Sequence, residues 1–148
     1  MDAPRIDPLA DPLADPLADP PIDRIIDRFL AAIEAGDIDT VRSLYAPDAV
    51  IWHNDDLVEQ SVEDNLKVLR GLHRTVADLR YDIVRRARLD DGVLQQHVLH
   101  GTLPGGAPVT LHAAMYVRIE DGRISRIDEY LDSAHRATIR AAREARTG

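Results

Sequence analysis

The chain has 148 residues, 45% of them hydrophobic, and carries a formal charge of −8 with an isoelectric point near 5.1. This is the length of one domain with enough apolar residues for a core, and its acidity argues against a nucleic-acid or phosphate-binding surface. It contains no cysteine, which excludes disulfides, thiolate chemistry and cysteine–zinc sites, and no run approaches a membrane span or a secretory leader, so a cytoplasmic protein is expected.

Residues 7–18 are three copies of Asp-Pro-Leu-Ala. A proline in every fourth position removes a backbone donor and restricts the residue before it, so residues 1–18 are expected to form a disordered tail. The alternative is a docking segment with the repeated leucines as anchors. A first helix is predicted next, capped by Asp19 with Pro20 or Pro21 in its first turn. Ile22, Ile25, Ile26, Phe29, Leu30 and Ile33 recur at helical spacing, and Gly36 ends it. Asp37 caps a short second helix through Tyr45, broken by Pro47-Asp48, and Ala49–His53 reads as a short strand. After a loop at Asn54–Asp56, Ser61-Val62-Glu63-Asp64 resembles a capping box and opens a third helix through about Val76.

From Leu79 the apolar period changes from helical to two. Leu79, Tyr81 and Ile83 start a strand that runs to about Leu89, with a bulge expected at Arg85-Arg86. Asp90-Asp91-Gly92 turns into a strand from Val93 to Leu103. After Pro104–Pro108 a third long strand places Val109, Leu111, Ala113, Met115 and Val117 on one face against Thr110, His112, Ala114 and Tyr116. Glu120-Asp121-Gly122 turns into a last strand, and Ser133 caps a basic helix with little apolar face, expected to be peripheral. Three helices, a short strand and an antiparallel meander give an α+β domain, in which a strongly curved sheet wrapping the helices leaves a conical cavity open at one end.

The last strand carries the strongest chemical signal. Ile127, Glu129 and Leu131 share one face, so a carboxylate sits between two core aliphatics. Burial there must be offset by pairing, hydrogen bonding or neutralisation, and desolvation is expected to raise the pKa of Glu129 toward that of a working acid–base. A structural carboxylate paired with Arg or His is the alternative. His53 shares a parity face with Ile51 and is its expected relay partner. His100 and Gln96 share a face on the second long strand, with His97 opposite. His97 and His100 are three apart on a strand, which points them opposite ways, so no metal motif is read there and no metal is expected. Arg85-Arg86-Ala87-Arg88 reads as a solvated strand edge, and Trp52 as packed under a helix or at an interface.

Phe29–Asp37, Leu44–Val50, Glu120–Ile124 and Glu129–Asp132 resemble the nuclear-transport-factor-2-like (cystatin-like) superfamily, nearest its SnoaL-like, ketosteroid isomerase and limonene epoxide hydrolase groups. The resemblance covers about residues 20–135 and implies a cone-shaped, mixed but mainly antiparallel sheet around three N-terminal helices. On this reading residues 1–18 are a tail, 19–135 the SnoaL-like domain and 136–148 a basic helix or tail. The resemblance places His53 at the ketosteroid isomerase base and aims it, with His100 and Gln96, into the cavity. It puts Phe29 and Met115 where that group carries its oxyanion donors, so those donors are absent. The epoxide hydrolase Arg and Asp fall at about Gln96 and Val98, also absent, and its last-strand Asp falls on Glu129.

The implied activity is cofactor-free proton transfer on a hydrophobic carbonyl compound, as an isomerase, dehydratase or polyketide-type cyclase. Glu129 and His53 are the catalytic candidates; His100, Gln96, Phe29, Met115, Leu111 and Leu131 are the substrate-binding candidates. The alternatives are a limonene-type epoxide hydrolase and a non-catalytic ligand-binding or dimeric scaffold protein. The expected partners are a small hydrophobic ligand and a second copy of the chain, with neither nucleic acid nor membrane. The face of Thr110, His112, Ala114, Tyr116 and Tyr130 is the expected dimer surface.

Overall fold

The computed structural model describes residues 21–147. The tail and Asp19 therefore lie outside the described residues. The first helix, α1 (Ile22–Ala35), starts directly after Pro21, whose fixed backbone precedes the first turn rather than sitting in it. Gly36 ends the helix at φ 71°, where its amide reaches back to the Ala32 and Ile33 carbonyls. Asp37 then opens α2 (Ile38–Leu44), its side chain accepting from the Thr40 amide at 3.1 Å.

Tyr45 is the first residue of β1 (Tyr45–His53), which is longer than the predicted strand because Pro47-Asp48 lies inside it. A two-residue strand absent from the sequence reading, β2 (Glu59–Gln60), pairs with its end. Ser61 caps α3 (Val62–Thr75) by accepting from the Asp64 amide at 3.2 Å. The meander follows as β3 (Ala77–Leu89), β4 (Gly92–Thr102), β5 (Pro108–Glu120) and β6 (Arg123–Leu131), closed by α4 (Ser133–Thr147).

The sheet order is β2-β1-β6-β5-β4-β3, with β1 and β6 parallel and the other pairs antiparallel. The parallel pair sets His53 beside Glu129 in register. Register shifts occur on β3 between Ile83 and Arg85, just before the Arg85-Arg86 pair where a bulge is expected, and between Ala77 and Arg80. At the second shift Asp78 has φ 55°, and the Tyr81 amide donates to Glu34 of α1 at 2.7 Å. The bulge thus ties β3 to the helix it curls over. At Gly92 a Cβ would meet the Val117 carbonyl oxygen at 1.9 Å, so only glycine lets β4 begin that close to β5.

The helices lie on the inner sheet face. Ile25, Ile26, Phe29, Leu30 and Ile33 of α1 pack with Ile51, Leu66, Val93, Met115, Val117 and Ile127 in the main core. A second cluster of Val76, Leu79, Leu99, Val109 and Leu111 receives Ile139 of α4. The last helix is therefore not peripheral: one isoleucine, 9% exposed, docks it on the open end of the cone.

Candidate functional site

Glu129 stands in the middle of the inner face of β6, its side chain 20% exposed. Two imidazoles hold it. His53 Nε2 lies 3.3 Å from Oε2, and His97 Nε2 lies 3.5 Å from Oε1, so each oxygen has its own donor. Both histidines are buried, at 7% and 2% exposure. Burial pushes the Glu129 pKa upward, yet the hydrogen bonds offered by the His53 and His97 rings outweigh it and hold the carboxyl well below the ordinary range. The expected upward shift is thus reversed: desolvation is the largest single influence, but the flanking apolar residues do not supply the partners that decide the sign.

His97 is itself positioned. Its Nδ1 lies 3.0 Å from the Gln95 side-chain amide nitrogen, which can only donate. That fixes the proton on Nε2, facing Glu129. Gln95, fully buried, accepts from Arg86 Nε at 2.9 Å through its carbonyl oxygen. Arg86 is held in turn by Asp27 at 2.8 Å and Asp23 at 3.7 Å, both on α1. One chain of polar contacts therefore runs from α1 through Arg86, Gln95 and His97 to Glu129. His53 has no such support among the described residues, where its buried Nδ1 finds no hydrogen-bond partner.

This arrangement corrects two expectations and narrows a third, that Trp52 packs under a helix or at an interface. Gln96 is exposed on the outer face, and His100 lies on that same face, where its Nε2 is 3.0 Å from Asp82. Neither lines the cavity; the inward set of β4 is Val93, Gln95, His97 and Leu99, one residue out of step with the predicted face. Arg86 is not a solvated edge residue, since the bulge turns it inward, while Arg85 and Arg88 remain exposed. Trp52 does not pack under a helix: it meets Tyr130 edge-on at 5.2 Å, on the outer sheet face.

Two cavities meet at Glu129. A small inner one of about 40 Å³ is lined by Phe29, Tyr45, Asn65, His97 and Met115 among others. The larger, of about 290 Å³, opens beneath α4 and is walled by Leu69, Leu72, Leu99, Leu111 and Leu131, with Gln60, Asp56, Arg136, Arg140 and Arg143 toward its mouth. Phe29 and Met115 thus lie on one side of the carboxylate, and Leu111 and Leu131 on the other. Tyr81 lines both cavities and stacks edge-on against His97 at 5.2 Å. Burial, then the negative charges of Glu129 and Glu34, push its phenol far up and keep it neutral. Tyr45 is likewise held neutral by burial, and its hydroxyl donates to Asn65 at 2.8 Å.

His97, Gln95, Arg86 and Tyr81 were missed as site residues. Inward parity on β3 was the available signal for Tyr81. For the β4 pair periodicity gave none, because its two faces are equally mixed.

A family model for the SnoaL-like domain matches residues 26–127. The chain belongs to the SnoaL-like domain family. The match runs from Ile26 within α1 to Ile127 within β6 and so includes His53, Tyr81 and His97, but ends two residues short of Glu129. Among solved structures, the chain is similar to IdmH of Streptomyces antibioticus, proposed to be a polyketide cyclase, at 23% identity and a TM-score of 0.70, over 80% of this chain and 97% of that one. It is also similar to an epoxide hydrolase of the limonene epoxide hydrolase type from M. tuberculosis, at 22% identity and a TM-score of 0.64, over 78% of this chain and 86% of that one. A third, a protein of ketosteroid isomerase-like fold from Catenulispora acidiphila, shares 17% identity with a TM-score of 0.65, over 76% of this chain and 86% of that one. No curated protein matches the chain in sequence. These likenesses establish the nuclear-transport-factor-2-like fold. Among the described residues no helix is long and apolar enough to cross a membrane.

Proposed function

We propose that this SnoaL-like protein is a small-molecule enzyme that moves a proton on a hydrophobic carbonyl compound without a cofactor, with Glu129 as the proton acceptor. The observation that carries the reading is the placement of an ionised carboxylate, gripped by two imidazoles, at the floor of an apolar cavity. Glu129 takes the proton from the carbon beside the carbonyl, and the electron pair moves to the carbonyl oxygen as an enolate. A carboxylate whose pKa is held low is a weak base, so most of the barrier reduction must come from stabilising that oxygen. Tyr81, kept neutral and facing the same cavity, supports the role of donor to it. Glu129 then returns the proton. Return to a different carbon gives an isomer; loss of a β-hydroxyl with that proton gives dehydration; attack of the enolate carbon on a second carbonyl closes a ring. His53 and His97 orient the carboxylate and take up the charge change around it.

The test is exchange of α-protons for solvent deuterium across a panel of apolar ketones and β-diketones, followed by NMR. The wild type should exchange at least one of them; Glu129→Gln should abolish this, and Tyr81→Phe should slow it roughly 100-fold, the size expected of a lost oxyanion donor. Exchange undiminished in Glu129→Gln would overturn the role of Glu129, and ligand binding without any exchange would favour a non-catalytic binding protein. The epoxide hydrolase alternative is supported by likeness of fold alone.

A further inference from the structure

The mouth of the large cavity has a charge opposite to that of the molecule. The chain is strongly acidic, yet three arginines from one face of α4, Arg136, Arg140 and Arg143, line that mouth. Asp55 takes two of them: its side chain, 8% exposed, lies 2.7 Å from Arg136 and 3.7 Å from Arg140. Arg143 has no carboxylate partner among the described residues. Its side chain lies over Gly71 of α3, where an added Cβ would come within 3.1 Å of its Cδ and 3.2 Å of its Nη1, so the bare backbone of α3 makes room for the guanidinium beside the cavity that Arg143 lines. Arg143 also lines the neighbouring groove between α3 and α4, with Lys67, Arg74, Glu144 and Arg146. The site thus has an apolar wall of five leucines, a carboxylate at its floor and a net positive charge at its opening.

We infer that the ligand of this cavity is an amphiphilic monocarboxylate: an apolar body lies along Leu69, Leu72, Leu99, Leu111 and Leu131 while its carboxylate is held at the mouth by Arg143. The count of charges argues for a monoanion, because three guanidinium groups at the mouth face two carboxylates, Asp55 and Asp56, and one positive charge remains. A planar fork of N–H donors matches a carboxylate with two parallel hydrogen bonds, which ammonium groups do not offer. The position also gives the ligand a direction. An anion kept at the mouth keeps its own charge away from Glu129, so the end that enters is neutral, which fits the carbonyl required by the proposed chemistry. This inference deepens that reading by naming the substrate class, but it rests on binding and not on turnover.

Titration calorimetry at pH 7 with octanoate, methyl octanoate and octyl phosphate tests it, on the full chain, the Arg143→Gln variant and, as a control, Arg123→Gln at the start of β6. Octanoate should bind the wild type and the control at least tenfold more tightly than its methyl ester. Arg143→Gln should bring octanoate down to the level of the ester and leave ester binding unchanged, and the preference should weaken as salt is raised. Equal binding of acid and ester, equal loss of both in Arg143→Gln, tighter binding of the phosphate, or no binding of octanoate would each overturn the proposal. Acid-selective binding in a protein that catalyses no proton exchange would count against the role of Glu129 alone, so the two failures are distinguishable.

Discussion

Glu129 is ionised because two imidazole N–H groups compensate it, and its environment has a pH signature. Its pKa is depressed in the folded chain, so its contribution to stability is fully present above the unfolded value of about 4.3 and is lost as pH falls below it. In Glu129→Gln that dependence disappears. At neutral pH the variant should be less stable by roughly 1–3 kcal/mol, because an amide can accept from one histidine but must point its own donors at the other. Urea unfolding of both proteins at pH 7 and pH 3 should show the gap narrowing on acidification; parallel curves would contradict the assignment. Gln95 gives a second residue-scale prediction. Gln95→Leu strands the buried Nδ1 of His97 and leaves Arg86 Nε without its acceptor, which should cost roughly 1–3 kcal/mol. Nitrogen-15 NMR of the His97 ring should show the single Nε2–H tautomer in the wild type and a loss of that preference in the variant. The sequence revealed Glu129 because a carboxylate between Ile127 and Leu131 is conspicuous on a strand. It concealed His97 because Val93, Gln95, His97 and Leu99 are no more apolar than Leu94, Gln96, Val98 and His100, so alternation alone cannot choose the inner face. The sign of the Glu129 shift was hidden for the same reason, since it depends on a partner from another strand.

At the scale of elements, caps and periods were legible and long-range ties were not. Asp37, Ser61 and Gly36 punctuate helices through contacts within four residues, which sequence displays directly. The last helix was misread because its apolar content is small; what docks it is Ile139 together with Asp55, more than 80 residues earlier than its closest arginine partner. Asp55 follows β1 in a loop whose importance no local pattern announces. Asp55→Ala should therefore loosen α4 specifically. The pair is mostly buried, but Arg140 is half exposed, so the cost should be about 1–3 kcal/mol, below the range for a fully buried broken pair. Hydrogen exchange followed by mass spectrometry should show faster exchange across α4 while β4 and β5 stay protected. Uniform loss of protection would mean that Asp55 supports the whole domain and not the helix at the cavity mouth.

The whole molecule is one-sided. Among the described residues, helices cover the inner face of the sheet and leave the outer face of β6, β5 and β4 without a helical layer. That face carries Tyr130, 57% exposed and packed edge-on against Trp52, and Leu94, 48% exposed. Ala114 lies between them, opposite Tyr130 on one side and Gln96 on the other, and keeps the centre of the face flat. Aromatics beside a flat strip suit an interface between copies: large contact area at small conformational cost. A twofold axis near Ala114 would set each Tyr130 against the other copy's β4, burying the exposed leucine and tyrosine together. We therefore expect a homodimer through this face, with the two cavities opening away from each other because α4 lies on the opposite side of the sheet. Ala114→Arg puts a long charged side chain at the centre of the contact and should raise the dimer dissociation constant at least tenfold, about 1.4 kcal/mol, without disturbing the inner-face core. Sedimentation velocity at micromolar concentration reads this directly. A wild-type monomer there would show that the outer face is solvated, and an unaltered dimer in Ala114→Arg would move the contact to another surface.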